Sequence, residues 1–218
     1  MELFTLTFLR HAESVGNAQG YYQGQEDFSL TERGESQVKR LISRWLVDGT
    51  RIDEVITSPL IRARDTAQRI SEAFSCPLVE DEDWQERDIG ILSGVRREEV
   101  DKVYPKPDFF TPYDAMADTG EGDWALFLRA GRAIHKILKR PPARYLIVSH
   151  GGILNQAMHV VVGMTPQASG QGVHFRFVNT AFSRVYYDPR KHKWVVWGLN
   201  DFTHLAVRDF DLEEEEES

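Results

Sequence analysis

The chain has only one cysteine, Cys76, among its 218 residues. An internal disulfide and the usual zinc-thiolate sites are therefore excluded. It also lacks any apolar run close to the roughly 20 residues that a helix needs to cross a bilayer. Its first residues show neither the basic flank nor the small-residue cleavage site of a secretory signal. We therefore expect a cytoplasmic protein with no membrane partner.

An excess of positive charge is also missing. The formal net charge is −8, of which Glu213–Glu217 contributes −5. A mildly acidic body gives no electrostatic basis for binding nucleic acid. We predict a single domain over residues 1–208, followed by a disordered acidic tail at 209–218. Any anion site must then be a local cluster of basic groups.

Strand and helix patterns alternate along the chain. Strands are predicted at 3–9, 54–57, 78–79, 145–149, 173–179, 182–187 and 194–199, and helices at 30–47, 58–74, 124–139 and 152–162. This alternation favours an α/β fold with three layers, α/β/α, around a mostly parallel central sheet. Residues 103–123 contain three prolines and little periodicity, which predicts an irregular, cap-like segment.

Basic and imidazole side chains follow three of the predicted strands. Arg10-His11 follows the first strand, Thr57-Ser58-Pro59 leads to Arg62, and Ser149-His150-Gly151-Gly152 follows the apolar strand near residue 145. The ligand crevice of an open α/β sheet lies outside the carboxyl ends of its strands. We therefore expect two arginines and two histidines to converge at one edge of the sheet.

These side chains suit the transfer of a phosphoryl group. Guanidinium groups match phosphate oxygens, and a helix N-terminus adds N–H donors. The glycines after His150 allow the backbone to approach an oxyanion closely. A neutral imidazole can be the nucleophile, and charge stabilisation supplies most of the remaining catalysis. No Walker-type loop, zincin motif or dinucleotide fingerprint competes with this interpretation.

Five motifs in order resemble the histidine phosphatase superfamily, also called phosphoglycerate mutase-like. The segments are Arg10-His11-Ala12-Glu13-Ser14-Val15-Gly16-Asn17, Leu30-Thr31-Glu32-Arg33-Gly34, Thr57-Ser58-Pro59-Leu60 with Arg62-Ala63, Ser149-His150-Gly151-Gly152, and Leu199-Asn200-Asp201 with His204. The family usually has glycine where this chain has Ala12. The resemblance implies a phosphoglycerate mutase-like fold along nearly the whole chain.

The resemblance also implies residue roles. His11 would become phosphorylated, Arg10, Arg62 and His150 would hold the phosphoryl oxygens, and Glu86 would exchange protons with the leaving group and water. Further phosphate or substrate contacts are expected from Ser14, Asn17, Gln23, Gly24 and Gly151. Asp88 is the main rival of Glu86. No metal and no cofactor are implied, whereas Arg64, Arg69 and Arg129 are expected on solvated helix faces.

Three functions fit such a site. A phosphomonoester hydrolase acting on small-molecule phosphate esters is favoured, with a cofactor-dependent phosphoglycerate mutase as the alternative and a non-catalytic phospholigand-binding protein third. Mutases of the family typically have Glu-Arg-His-Tyr-Gly, whereas this chain has Glu86-Arg87-Asp88-Ile89-Gly90. Between residues 103 and 123, Lys106 is the one basic residue, although Arg96 and Arg97 could partly substitute. Non-catalytic relatives usually lose the nucleophile or its arginines.

Overall fold

A computed structural model describes residues 3–205, so the acidic tail predicted at 209–218 lies outside the described residues. Along these residues the elements are β1 (Phe4–Arg10), α1 (Val15–Ala18), β2 (Tyr21–Tyr22), α2 (Glu32–Val47), β3 (Glu54–Thr57), α3 (Ile61–Phe74), β4 (Leu78–Glu80), β5 (Val95–Arg96), α4 (Val100–Val103), α5 (Asp123–Leu138), β6 (Arg144–Ser149), α6 (Gly151–Val162), β7 (Phe182–Asp188) and β8 (Lys193–Asp201). None of the helices in this range is both long and apolar enough to cross a bilayer.

The main sheet has six strands in the order β4-β3-β6-β1-β7-β8. The first four are parallel, β7 pairs antiparallel with β1, and β8 pairs antiparallel with β7 at the edge. The register pairs Arg10 with Ser149 and Thr57 with Val148. The carboxyl ends of β1, β3 and β6 therefore meet at one edge, and the predicted mostly parallel sheet is confirmed.

Side chains of the sheet pack on two helical layers. On one face Phe4, Leu6 and Phe8 pack in a core with apolar residues of α5 and α6. On the other face Leu9 belongs to a core built with α2 and α3. Because successive strand residues point to opposite faces, the apolar run of β1 serves both cores. The predicted α/β/α architecture is thereby confirmed.

The start of α3 differs from the prediction. The sequence predicts that Ser58-Pro59 opens this helix, but Leu60 is extended and the helix begins at Ile61. The Ser58 hydroxyl accepts a hydrogen bond from the Leu60 amide (3.3 Å), and the Asp27 carboxylate accepts one from the Ile61 amide (2.8 Å). These side chains satisfy the first amides and leave Ser58 outside the helix, at the sheet edge.

The strand predicted at 173–179 is wrong, because this stretch has no strand structure. Its amides find side-chain acceptors instead of a neighbouring strand. Asn155 accepts from the Phe175 amide (2.8 Å), and Asn200 accepts from the Val178 amide (3.0 Å). Of the apolar residues in this stretch, Phe177 is buried at 3% exposure, whereas Val173 is 51% exposed.

The long connection between β4 and α5 folds back on itself. The Glu121 amide donates to the Asp88 carbonyl at 2.7 Å. At Gly120 an added Cβ would lie 2.6 Å from that same carbonyl oxygen and 2.8 Å from the Gly90 amide nitrogen. Only glycine permits this approach. The end of the irregular segment is thus packed on the residues that follow Glu86.

Candidate active site

His11 lies directly after β1 and is 2% exposed. Its amide donates to the Ser149 carbonyl (2.9 Å), which joins the ends of β1 and β6. Its Nδ1 lies 2.7 Å from the Ala12 carbonyl oxygen. Because a carbonyl can only accept, we assign the proton of the neutral ring to Nδ1. The lone pair of the ring is then on Nε2.

His150 lies between β6 and α6, and its ring centroid is 5.1 Å from that of His11. The Nε of Arg62 donates to Nδ1 of His150 at 3.2 Å. Ser58 Oγ lies 2.8 Å from Nε2 of the same ring. Since a guanidinium can only donate, the neutral His150 ring carries its proton on Nε2. His11 thus presents a ring lone pair, and the Nε2–H of the neighbouring His150 donates to the Ser58 hydroxyl.

Both imidazoles are held in the neutral form. Burial lowers the pKa of His11 well below its usual value, and the positive charges of Arg62 and Arg10 lower it further. Burial also lowers the pKa of His150, again with Arg62 as the next largest cause. Both effects disfavour the charged ring. His11 is therefore available as a nucleophile at neutral pH.

Arg62 is buried in the first turn of α3, with 1% of its surface exposed. Its guanidinium donates to the carbonyls of Gly24 and Glu26, each at 2.7 Å. Burial lowers the pKa of Arg62 to about 10, against the opposing charges of Glu86 and Asp27. The group is still protonated at neutral pH, and it also ties the loop that contains Gly24 to the two histidines.

Arg10 is the last residue of β1, and its Nη1 donates to the Phe177 carbonyl at 2.6 Å. A Cβ added at Gly151 would lie 3.9 Å from Nε of Arg10, so the two residues are neighbours. The structure thus brings together the two arginines and two histidines that the sequence placed at strand ends. In a chain with net charge −8, this is a local concentration of positive charge.

Glu86 is half-buried at the N-terminus of α6. Its carboxylate accepts from the amides of Gly152 (3.1 Å), Ile153 (3.1 Å) and Arg87 (2.8 Å). The carboxylate therefore lies beside the residues that directly follow His150. Asp88 is exposed, and its carboxylate accepts from the Gly90 amide at 2.9 Å in the next turn. The geometry thus favours Glu86 over Asp88.

The residues of the first loop form a hydrogen-bonded support behind His11. Ser14 is fully buried, and its Oγ lies 2.8 Å from Oε1 of Gln23 and 2.9 Å from Oδ1 of Asn17. Asn179 donates both to Oδ1 of Asn17 (3.3 Å) and to the His11 carbonyl (2.9 Å). Because its oxygen is engaged in this network, the amide nitrogen of Asn17 is the group that could meet a ligand.

Sequence reasoning missed three members of this site. Ser58 was part of a recognised motif, yet its contact with His150 was not predicted. Asn179 has no local signal. Arg129 was expected on a solvated face, and this is wrong: its side chain is 12% exposed and donates to the main-chain carbonyls of residues 83, 85 and 86. Bonds to main-chain carbonyls leave no pattern in the side-chain sequence.

Comparisons with known proteins identify similar sequences along nearly the whole chain. A model of the histidine phosphatase superfamily (branch 1) matches residues 6–200. A Cronobacter sakazakii protein named "Probable phosphoglycerate mutase GpmB" is 32% identical over 214 residues, covering 93% of this chain and 95% of its own length. The metal-independent phosphoserine phosphatase of Arabidopsis thaliana is 31% identical over 215 residues, covering 96% and 86%.

The fold also matches a solved structure. Phosphoserine phosphatase from Entamoeba histolytica, in complex with 3-phosphoglyceric acid, aligns with a TM-score of 0.76 at 22% identity. The alignment covers 93% of this chain and 100% of that one. The same enzyme has been solved as a mutant with phosphoserine. At this identity the likeness establishes the fold.

Proposed function

The chain belongs to branch 1 of the histidine phosphatase superfamily, and from this we propose that it hydrolyses small phosphate monoesters through a phosphohistidine on His11. One observation carries the proposal. Two neutral, buried imidazoles whose centroids are 5.1 Å apart lie beside two guanidiniums at one sheet edge. This arrangement provides a nucleophile and several donors for one phosphoryl group.

In the first step, Nε2 of His11 attacks phosphorus and the bond from phosphorus to the ester oxygen breaks. Arg10 and Arg62 donate to the phosphoryl oxygens, and the Nε2–H of His150 exchanges the Ser58 hydroxyl, its acceptor before substrate binds, for a phosphoryl oxygen. Such fixed donors act most strongly on the charge that develops in the transition state. The Ala12 carbonyl supports the attack because it accepts a hydrogen bond from the Nδ1–H of His11 and so keeps the ring correctly oriented.

Glu86 acts as the general acid of the first step and the general base of the second. As an acid it donates a proton to the departing alkoxide, which would otherwise be a poor leaving group. As a carboxylate it then takes a proton from the water that attacks phosphohistidine. This second step releases inorganic phosphate, regenerates neutral His11 and returns Glu86 to its acid form. The position of Glu86 at the start of α6, next to His150, supports this role.

The proposed chemistry uses side chains alone, so we expect turnover without a metal or an organic cofactor. Within residues 3–205, His, Cys, Asp and Glu side chains form no group of three that could hold a metal ion. One relative is named a metal-independent phosphatase. That name and the self-sufficient set of donors support the expectation.

A mutase is the second candidate, because several relatives carry that name. A mutase must also bind the carboxylate of phosphoglycerate. Arg87, the arginine next to Glu86, is ion-paired with Asp123, and both side chains are largely buried. Arg96 and Arg97 lie over the rings of Tyr21 and Tyr22 at the small β2–β5 ladder. Because Arg87 is paired with Asp123, its charge is not available to a substrate carboxylate, and this favours the hydrolase. Arg96 and Arg97 are the basic residues that could bind such a carboxylate, and they favour the mutase.

The test measures turnover and the covalent intermediate together. Wild type is incubated in EDTA with phosphoserine and with p-nitrophenyl phosphate, and released phosphate and acid-labile protein phosphate are measured. We expect both signals, with the label on the peptide that contains His11. His11→Ala should lose the label and lower turnover by more than about 1,000-fold. His135→Ala, at an exposed histidine of α5, is the matched control and should behave as wild type.

A further arm separates the two candidates. The enzyme is given 3-phosphoglycerate with a trace of 2,3-bisphosphoglycerate. Phosphate release supports the hydrolase. Interconversion of the phosphoglycerates without phosphate release would replace it by the mutase. If no arm gives turnover or a phosphoenzyme, both candidates fail.

A further inference from the structure

Arg129 on α5 lies beneath the residues that carry Glu86. Its Nη1 donates to the carbonyls of Asp83 (3.0 Å) and Gln85 (2.6 Å), and its Nη2 donates to the carbonyl of Glu86 (3.1 Å). Residues 83–88, here called the Glu86 segment, include only a short 3-10 turn at their start. One guanidinium therefore satisfies main-chain carbonyls that a helix or sheet would otherwise satisfy.

Glu121 fixes the orientation of that guanidinium. Its carboxylate accepts from Nε (2.8 Å) and Nη2 (2.6 Å) of Arg129, and both side chains are largely buried. This two-point pairing holds the plane of the guanidinium. The main-chain amide of Glu121 also donates to the Asp88 carbonyl at 2.7 Å. The Glu86 segment is therefore held near its start by Arg129 and near its end by Glu121.

The Glu86 carboxylate receives its own hydrogen bonds from α6, at the amides of Gly152 and Ile153. Those bonds form only when the main chain of Glu86 is at the correct distance from α6. Arg129 binds the carbonyl of that same residue. A misplacement of about 1 Å can cost a catalytic group about 100-fold in rate. Support of the main chain at this point thus bears directly on proton transfer.

We propose that Arg129, oriented by Glu121, is a positioning residue that holds the Glu86 segment so that the Glu86 carboxylate stays at the N-terminus of α6 beside the histidines. The inference rests on the proposed function, since it assigns Arg129 to the proton-transfer part of that reaction. A positioning role of Arg129 differs from a purely structural role in one measurable way. Loss of Arg129 should harm reactions that need a proton donor and spare those that do not.

The test compares two esters by kcat/KM, which covers the steps up to departure of the leaving group. An alkyl phosphate needs protonation, whereas p-nitrophenolate departs without it. Arg129→Met keeps the stem and removes the donors. It should lower kcat/KM by about 100-fold for the alkyl phosphate and by less than about threefold for the aryl phosphate. KM should change little.

Arg132→Met is the matched control. Arg132 lies one turn further along α5, is 58% exposed, and bonds the side chain of Asp83 and not the main chain. It should leave both rates within about twofold of wild type, as a surface ion pair contributes little. A loss with the alkyl ester in Arg132→Met as large as that in Arg129→Met would overturn the proposal.

A milder variant keeps the test decisive if Arg129→Met does not fold. Glu121→Gln retains an acceptor oxygen, removes the charge, and should lower the alkyl rate about tenfold more than the aryl rate. Equal losses with both esters in a folded variant, shown by an unchanged Tm, would overturn the inference and leave the proposed function standing. No phosphate release by wild type from either ester would instead overturn the proposed function itself.

Discussion

At the residue scale, the protonation of His11 is decided by its surroundings. Water is excluded from a ring that is 2% exposed, and Arg62 and Arg10 add positive charge nearby. Each effect makes a second ring proton unfavourable. The Ala12 carbonyl then selects which nitrogen carries the remaining proton. Burial, charge and one main-chain oxygen together leave Nε2 free to attack.

The lowered pKa of His11 has a definite sign in its pH dependence. The neutral, competent ring is present above the pKa and is lost as pH falls through it. Because the pKa lies well below the usual 6.5, His11 should stay neutral at pH 6.5 and below. Nitrogen NMR of the imidazoles, assigned with His11→Asn, should show a neutral ring protonated at Nδ1. Half-protonation at pH 6.5 or above, or a proton on Nε2, would contradict this.

At the element scale, the junction between β6 and α6 organises the site. One residue, His150, separates the strand from the helix, so its side chain is fixed at the sheet edge. The first amides of the helix point at the Glu86 carboxylate, as expected for an anion at a helix N-terminus. A single helix start therefore positions both the imidazole proposed to bind phosphate and the proposed acid.

Gly152 lets the carboxylate approach this closely. An added Cβ would lie 2.6 Å from Oε1 of Glu86, so Gly152→Ala should displace the carboxylate without disturbing the helix. We expect kcat/KM for an alkyl phosphate to fall at least about tenfold, with little change for p-nitrophenyl phosphate. Gly131→Ala, inside α5 with ordinary space for a Cβ, should leave both rates unchanged. An unaffected alkyl rate in Gly152→Ala would remove the proposed role of this contact.

Elements with strong periodicity were predictable from the sequence, and elements defined by distant partners were not. The apolar run of β6 and the amphipathic α2 and α5 were predicted to within a residue or two. The apolar run at 173–179 was predicted as a strand because nothing local shows that Asn155 and Asn200 accept its amide hydrogens. The burial of Arg129 was missed for the same reason, since its acceptors are distant main-chain carbonyls.

At the scale of the whole molecule, a chain with a net negative charge contains a positively charged site formed by Arg10 and Arg62. The carbonyls of Gly24 and Glu26 hold the guanidinium of Arg62 in place. Neutral acceptors orient a cation without cancelling its charge, so the charge remains available to a phosphate. Segments from residues 10, 62, 86 and 150 must come together for this site to exist. Three of the five motifs lie at the carboxyl ends of β1, β3 and β6, which the sheet aligns, and the α/β/α fold implied by the resemblance is confirmed.

The central claim is that His11 attacks a phosphorus atom held by Arg10, Arg62 and His150. The most direct test is a crystal structure of the wild-type protein with vanadate, which adopts the geometry of the transferring phosphoryl group. We expect vanadium within bonding distance of Nε2 of His11, its equatorial oxygens on Arg10, Arg62 and His150, and the Glu86 carboxyl at the opposite apical oxygen. Vanadate bound to another residue, or bound with His11 out of contact, would contradict it.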